Sequence, residues 1–239
     1  MHIDYVKTPF NNNPSMQKYS GPLLIENPRK IYLNEKLTQL SEYGADLYGE
    51  SKIFKENNLI QLVSSTLGVD PKETLKDLSL SIEEDIAVMH KGKLEAISFC
   101  FPSGWVPSKG LGEGFNFLHN PVADNELLIK SSKKLTKYMC KNTIQRWVWN
   151  ITTINGLSNH PKIPRPLLND FNDLYFRLET QISTPLDYET SLFLVSVEVV
   201  NLEEVWDEKI LKSLNSMSES ILEYKQLTKI KDYLNSFII

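Results

Sequence analysis

Alternating apolar and polar positions predict two adjacent strands near the middle of the chain. Asp85-Ile86-Ala87-Val88-Met89-His90 and Lys93-Leu94-Glu95-Ala96-Ile97-Ser98-Phe99-Cys100-Phe101 are separated only by Lys91-Gly92, a composition suited to a tight turn. Period two recurs from Thr143 to Thr153, with Trp147, Trp149 and Ile151 on one face and Arg146 and Asn150 on the other. From Leu174 to Ile182, Leu174, Phe176 and Leu178 face one way, and Tyr175, Arg177, Glu179 and Gln181 the other. Leu192 to Val200 is nearly continuous in apolar residues and reads as a fifth strand.

Helical spacing covers much of the rest. Leu33 to Tyr48 places Leu37, Leu40 and Tyr43 on a mixed stripe interrupted by Gly44, and Asn57 to Leu67 aligns Leu59, Ile60, Val63 and Leu67. Asp70-Pro71-Lys72-Glu73 predicts a helix start, with Leu75 and Leu78 on its buried side. Asp124 is expected to cap a helix that turns Leu127, Leu128, Leu135, Tyr138 and Met139 inward. Asn201-Leu202-Glu203-Glu204 opens another helix, and Glu219 to Phe237 reads as a last one with Leu222, Leu227, Ile230 and Leu234 inside. Residues 1–30, broken at Asn11-Asn12-Asn13-Pro14, Gly21-Pro22 and Asn27-Pro28, form an extended arm that either wraps the domain or stays mobile. Strands joined by short turns imply an antiparallel sheet and an α+β class. Two strands, an intervening segment and three more is also the order of a PAS-type domain, so a PAS-like five-stranded antiparallel sheet with flanking helices is expected. The expected organisation is an arm and helices over 1–80, a core over 81–201 and C-terminal helices over 202–239.

Composition narrows the function. The chain has 239 residues, 41% of them hydrophobic, and a net charge of −4. Five lysines between Lys130 and Lys141 fit the solvated face of one helix, so nucleic acid is not expected as a partner. Cys100 and Cys140 are too few for a four-thiolate cluster and sit among apolar residues as reduced thiols. No signal pattern and no apolar run of about 18 residues occurs, so the expected location is cytoplasmic, without a membrane partner.

The stretch from Ser98 to Val122 carries the candidate chemistry. Ordinary loops are polar, yet this one holds Trp105, Phe115 and Phe117 and delivers His119 just before Asn120-Pro121. Gly110, Gly112 and Gly114 allow close backbone approach, and Lys109 sets a cation at the rim. The plainer reading is a loop packed over a sheet edge with His119 hydrogen-bonded in the core. Of the other histidines, His2 lies in the terminal arm, His90 at a turn where exposure is the default, and His160 in a proline-rich loop. The polar row Arg177, Glu179 and Gln181 faces either water or a pocket.

Glu84-Asp85, Phe101-Pro102-Ser103-Gly104-Trp105, Lys109-Gly110 and His119-Asn120-Pro121-Val122 together resemble the heme-dependent oxidative N-demethylase family. Arg146 with Trp149, and Arg177-Leu178-Glu179-Thr180-Gln181, are similar to that family's arginine–tryptophan block and its Arg-x-Glu-x-Gln strand. The resemblance spans about residues 84–200. It implies a PAS-like domain holding heme b, with O2 activated at the iron, a small amine as substrate, and electrons supplied by flavin and iron–sulfur partner proteins. His119 would then be the iron ligand, Lys109 and Arg146 would meet the heme propionates, and Trp105 would either stack on the macrocycle or pack in the core. Glu179 would hold a substrate ammonium or relay protons, and Arg177 would orient it or polarise bound oxygen. Val148 replaces the family's usual Asn, no arginine follows Gln181, and the fifth strand lacks the family's late tyrosine. A heme-binding sensor or carrier without turnover, and a member that binds no heme, are the competing readings.

Overall fold

A computed structural model describes residues 1, 3–12 and 15–237; the expectations placed on His2 and on Asn13-Pro14 lie outside them. In chain order the first elements are β1 (Gln17–Lys18), α1 (Lys30–Leu47), β2 (Tyr48–Glu50), α2 (Lys52–Glu56), α3 (Leu59–Leu67), α4 (Leu75–Ser79), β3 (Asp85–His90) and β4 (Lys93–Ser98). Then come α5 (Phe115–His119), α6 (Glu126–Met139), β5 (Ile144–Thr152), β6 (Tyr175–Pro185), β7 (Thr190–Asn201), α7 (Glu208–Asn215), α8 (Glu219–Lys225) and α9 (Thr228–Phe237). Among the described residues the strands form one antiparallel sheet in the order β1-β5-β6-β7-β3-β4-β2. The class is α+β. The sheet has seven strands rather than five, because Gln17–Lys18 and Tyr48–Glu50 add short strands at its two edges, too brief to leave an alternation in the sequence.

The β3–β4 hairpin turns on Lys91 (φ 50°) and Gly92 (φ 77°), the two left-handed positions of a tight turn whose twist matches its strands. Antiparallel register then decides which residues share a face. Ile86, Val88, Ile182, Leu192 and Leu194 lie on one side under α2, α3 and α4, in a cluster with Phe54, Ile60, Val63, Leu75 and Leu78. Trp149, Ile151, Leu174, Phe176 and Leu178 continue that side under α7, α8 and α9, joined by Val6 of the arm. On the opposite side Ala87, Met89, Val195 and Val197 meet Tyr32 of α1 and the aromatic segment after β4. The arm wraps rather than drifts: Phe10 N donates to Ser216 Oγ (2.7 Å), and Ser213 Oγ to Lys7 O (2.7 Å).

Several local expectations are corrected. Leu37 is exposed and α1 instead buries Tyr32, Lys36, Gln39 and Leu47, because Lys36 Nζ donates to three backbone carbonyls: Ser79 O, Ile82 O and Glu84 O. α4 starts after Thr74, whose side chain accepts from Asp77 N, so Asp70-Pro71 lies outside it. Asp124 does not cap α6. It sits at φ 53° and accepts from Ser218 and Ser220, tying this turn to the start of α8. Leu127 and Tyr138 point outward, since the inner stripe of α6 runs through Leu128, Ser132, Leu135 and Met139. Asn201 opens a short 3-10 turn (Leu202–Val205) with a capping box rather than an α-helix. The last helix is two, divided at Gln226, which ends α8 at φ 57°.

Candidate functional site

A buried lysine and aspartate fix the end of β4. Asp85, fully buried, accepts from Cys100 N (2.9 Å) and Phe101 N (2.8 Å) and lies 3.8 Å from Lys36 Nζ. Burial pushes its carboxyl up, while Lys36 and the two amides pull it down. The chain therefore leaves the sheet at a set angle and enters the aromatic segment. Gly104 N donates to Asn159 O and Asn159 N to Pro102 O, so this segment is laced to the proline-rich one. At Gly110 a Cβ would lie 2.4 Å from Leu118 Cδ2, so any larger residue there would displace that leucine's side chain. The close approach is to the chain's own leucine.

Arg177 is 1% exposed and stands at the centre. Its Nε donates to Ser103 Oγ (2.9 Å), its Nη2 to Phe101 O (2.7 Å) and its Nη1 to Leu157 O. Glu179 Oε1, 3.5 Å from Arg177 Nη2, accepts from Ser103 Oγ, and Gln181 Nε2 donates to Glu179 Oε2 (2.8 Å). Arg177 is thus buried under the aromatic segment, whereas Glu179 and Gln181 are half-buried and the bridging Ser103 is exposed. Burial weighs against the Arg177 charge, and Glu179 and Asp85 support it.

His119 ends α5. Its Nδ1 lies 2.9 Å from Phe115 O, and its ring stacks on Phe115 at 3.9 Å. A carbonyl can only accept, so Nδ1 carries the proton and Nε2 keeps its lone pair. Burial lowers its pKa; the Phe115 carbonyl opposes this and the Arg146 charge adds to it, so a neutral imidazole is favoured. Arg146 is half-buried with its Nε enclosed and unpartnered among the described residues, and it senses Glu179 and Tyr224. Register pairs Arg146 with Gln181 and Val148 with Glu179, which sets the β5 arginine beside the β6 row.

Two contributors come from α8, where no sequence signal marks them. Lys225 Nζ donates to Trp149 O (2.8 Å), and Asn150 Nδ2 to Lys225 O (3.2 Å), covering a stretch of β5 beyond its short pairing with β1. Burial brings the Lys225 amine down to about 8, with Glu179 opposing and Arg146 reinforcing the fall. Tyr224 beside it is half-exposed and senses Glu179 and Arg146. Ser103, bridging Arg177 and Glu179, was also not singled out by residue type, although it lies in the Phe101–Trp105 motif.

The remaining candidates sit elsewhere. Lys109 is exposed on the 3-10 turn Pro107–Gly110, and its charge bears on Asp46 rather than on the Arg146 group. Trp105 is half-buried and packs edge-on against Phe99 (5.9 Å). His90 is half-buried rather than exposed, with Nδ1 2.8 Å from Thr190 Oγ1. His160 is buried, stacked on Tyr43 at 4.5 Å, with Nε2 3.3 Å from Asp46. Both cysteines are free. Among the described residues no group of three or more His, Cys, Asp or Glu could hold a metal ion. No helix of the described residues is long and apolar enough to cross a membrane.

These features define an α+β protein with one sheet face sealed by apolar helices and the other carrying the polar chemistry. On that second face stand a neutral histidine, the buried Arg177, the half-buried Arg146 and the carboxylates of Asp85 and Glu179. Over residues 38–235 the chain matches the family described as Haem-dependent oxidative N-demethylase, alpha subunit-like, and it belongs to that family. No curated protein matches the chain.

Proposed function

We propose that residues 81–201 form a PAS-like core that binds heme b on the second sheet face, with His119 Nε2 as the protein's ligand to iron, and that the protein is an O2-dependent oxygenase component. The observation that carries this reading is the His119 geometry. A half-buried imidazole whose Nδ1–H is committed to Phe115 O presents Nε2 as a neutral donor, the form that ligates iron. The residues around it suit the group: Phe115, Leu118 and Trp105 are apolar, and the unpartnered Arg146 Nε–H is a donor for a propionate. One protein ligand is enough for such a group. When bound, heme supplies the activation of O2 that oxidation of a small amine requires.

The chain's own residues then divide the remaining work. Glu179 is the carboxylate of this face not committed to backbone amides; Oε1 and Oε2 accept from Ser103 and Gln181, which orient it toward an ammonium or a transferable proton. Arg177 acts as a positioning residue, since its guanidinium reaches the carbonyls of Phe101 and Leu157 and holds the aromatic segment over the sheet. Lys109, on the far side of that segment, is retained as a rim cation for a second propionate. Reducing equivalents come from flavin and iron–sulfur partner proteins, and the chain is cytoplasmic.

The test is a visible spectrum of protein expressed with adequate iron and heme precursor. The expected result is a Soret band that His119→Ala abolishes or shifts. An unchanged spectrum in His119→Ala, with loss in His90→Ala, would overturn the assignment.

A further inference from the structure

The chain carries net charge −4, yet α6 concentrates lysines at 130, 133, 134 and 137, with Lys141 two residues beyond its end, all exposed. Lys130–Lys134 and Lys133–Lys137 are like-charge pairs at helical spacing i,i+4, an arrangement that destabilises a helix. The only acid within α6 is Glu126 in its first turn, and among the described residues none of these lysines makes an ion pair. A merely solvated helix surface has no need of such one-signed repulsion. The other exposed lysines show the contrast: Lys52 pairs with Glu56 and Lys212 with Glu208.

The patch has shape as well as charge. Lys133, Lys137 and Lys141 line a groove of about 610 Å³ whose other wall is the β3–β4 turn, with Lys91 and Gly92, and the β6–β7 turn, with Tyr188 and Glu189, the groove's one acid among the described residues, which pairs with Lys91 (3.3 Å). Tyr188 is 82% exposed, and Leu127 and Tyr138 also stand out from α6, so the lysines surround apolar side chains that water does not favour. The groove is joined to the candidate heme site. α6 packs on α5, and Asn125, just before α6, donates from Nδ2 to His119 O (2.9 Å) and Asn120 O (3.0 Å).

We propose that this lysine face is the docking surface for an acidic electron-donor protein, placed over the helix that carries His119. This rests on the reading of the protein as a heme oxygenase component, which needs an external reductant. Complementary charge steers two proteins together and makes their association sensitive to salt. The acidic chain would otherwise repel an acidic donor, and α6 is where that repulsion is reversed.

The probe is a plant-type [2Fe–2S] ferredoxin, whose surface is acidic, titrated into the full-length protein. Binding should weaken about ten-fold or more as salt is raised through the physiological range. Lys133→Glu/Lys137→Glu should weaken it by a similar factor, while the equal charge change Lys52→Glu/Lys229→Glu leaves it intact. Zero-length carbodiimide coupling should join ferredoxin carboxylates to Lys133, Lys137 or Lys141. No binding, equal loss from both double variants, or crosslinks placed elsewhere would overturn the proposal. So would tighter binding of a single-stranded oligonucleotide or phosphatidylserine vesicles to the same face. The heme spectrum is recorded in parallel: its absence in wild-type protein refutes the heme reading, whereas a normal spectrum with unaltered docking in Lys133→Glu/Lys137→Glu refutes only the surface.

Discussion

Removing the Arg177 guanidinium should cost more stability than any other single truncation on this sheet face. The side chain is 1% exposed and spreads its donors over Phe101 O, Leu157 O and Ser103 Oγ, with Glu179 Oε1 at 3.5 Å. Arg177→Ala leaves two carbonyls without this donor, each worth about 1–3 kcal/mol if it stays dry. It also strips Glu179 of its nearest cation, and breaking a buried pair in this way costs about 3–5 kcal/mol. These terms overlap, so the expected loss is about 3–5 kcal/mol rather than their sum. At roughly 2–4 °C per kcal/mol for a chain of this size, Tm should fall by roughly 6–20 °C. Urea unfolding of apo protein, followed by far-UV circular dichroism, reads the loss as a lower midpoint at constant slope. Arg177→Lys should fall between, because one ammonium cannot reach all three acceptors. A loss within about 0.5 kcal/mol for Arg177→Ala would place the side chain at a solvated surface and refute the clamp.

Glu179→Gln keeps the shape but removes the charge and turns one accepting oxygen into a donor, so substrate oxidation should fall while heme absorbance is retained; loss of heme binding in that variant would reassign Glu179 to the cofactor. The purified protein alone should not sustain NADH oxidation, since its two cysteines and lack of a dinucleotide fingerprint leave reduction to partners; sustained turnover without added reductase would contradict this. Lys36→Met should be strongly destabilising, by about 3 kcal/mol or more, because Asp85 keeps its burial and loses its cation. His160, held below its ordinary pKa by burial, stays neutral in the native state while the unfolded chain takes up a proton as pH falls through about 6.5. Stability should therefore drop on acidification by up to about 1.4 kcal/mol per pH unit, and a His160→Gln variant that kept the full slope would assign it to other groups.

How much of this was legible in the sequence depends on the range of the forces involved. Four of the five central strands and the split of β6 into apolar and polar faces follow from period-two alternation, and β7 from a continuous apolar run, both local signals. The edge strands Gln17–Lys18 and Tyr48–Glu50 are defined only by their partners in β5 and β4, so no local pattern announces them. Lys36 misled the reading of α1 for the same reason: a lysine on the inner stripe looks like a breach until Ser79, Ile82 and Glu84 supply carbonyls from more than 40 residues away. His119, Arg146, Arg177 and Glu179 were found by residue type and motif, and they fall on one sheet face. Tyr224 and Lys225 join the Arg146 group from α8 through contacts that leave no trace in their spacing.

The departures from the family pattern now have positions. Val148 stands opposite Glu179 in the β5–β6 register, and Val197 stands opposite it on the β7 side, so the carboxylate is flanked by apolar side chains on both neighbouring strands. An asparagine at 148 would have offered an amide donor beside Glu179; valine offers none, and Ser103 and Gln181 supply the donors instead. The missing arginine after Gln181 and the valine at 199, opposite Arg177, leave less polar reach around this row, while Val200 faces the apolar helices on the other side. On the proposed amine-oxidation reading, fewer fixed donors and more apolar wall favour a less polar amine, whereas the His119–Phe115 unit and the Asp85 anchor of the aromatic segment are unaffected by these changes. Val148→Asn tests which term dominates. If Glu179 needs a donor from β5, the variant should accept smaller, more polar amines without changing the heme spectrum. If desolvation around Glu179 is what matters, the same change should weaken every amine alike.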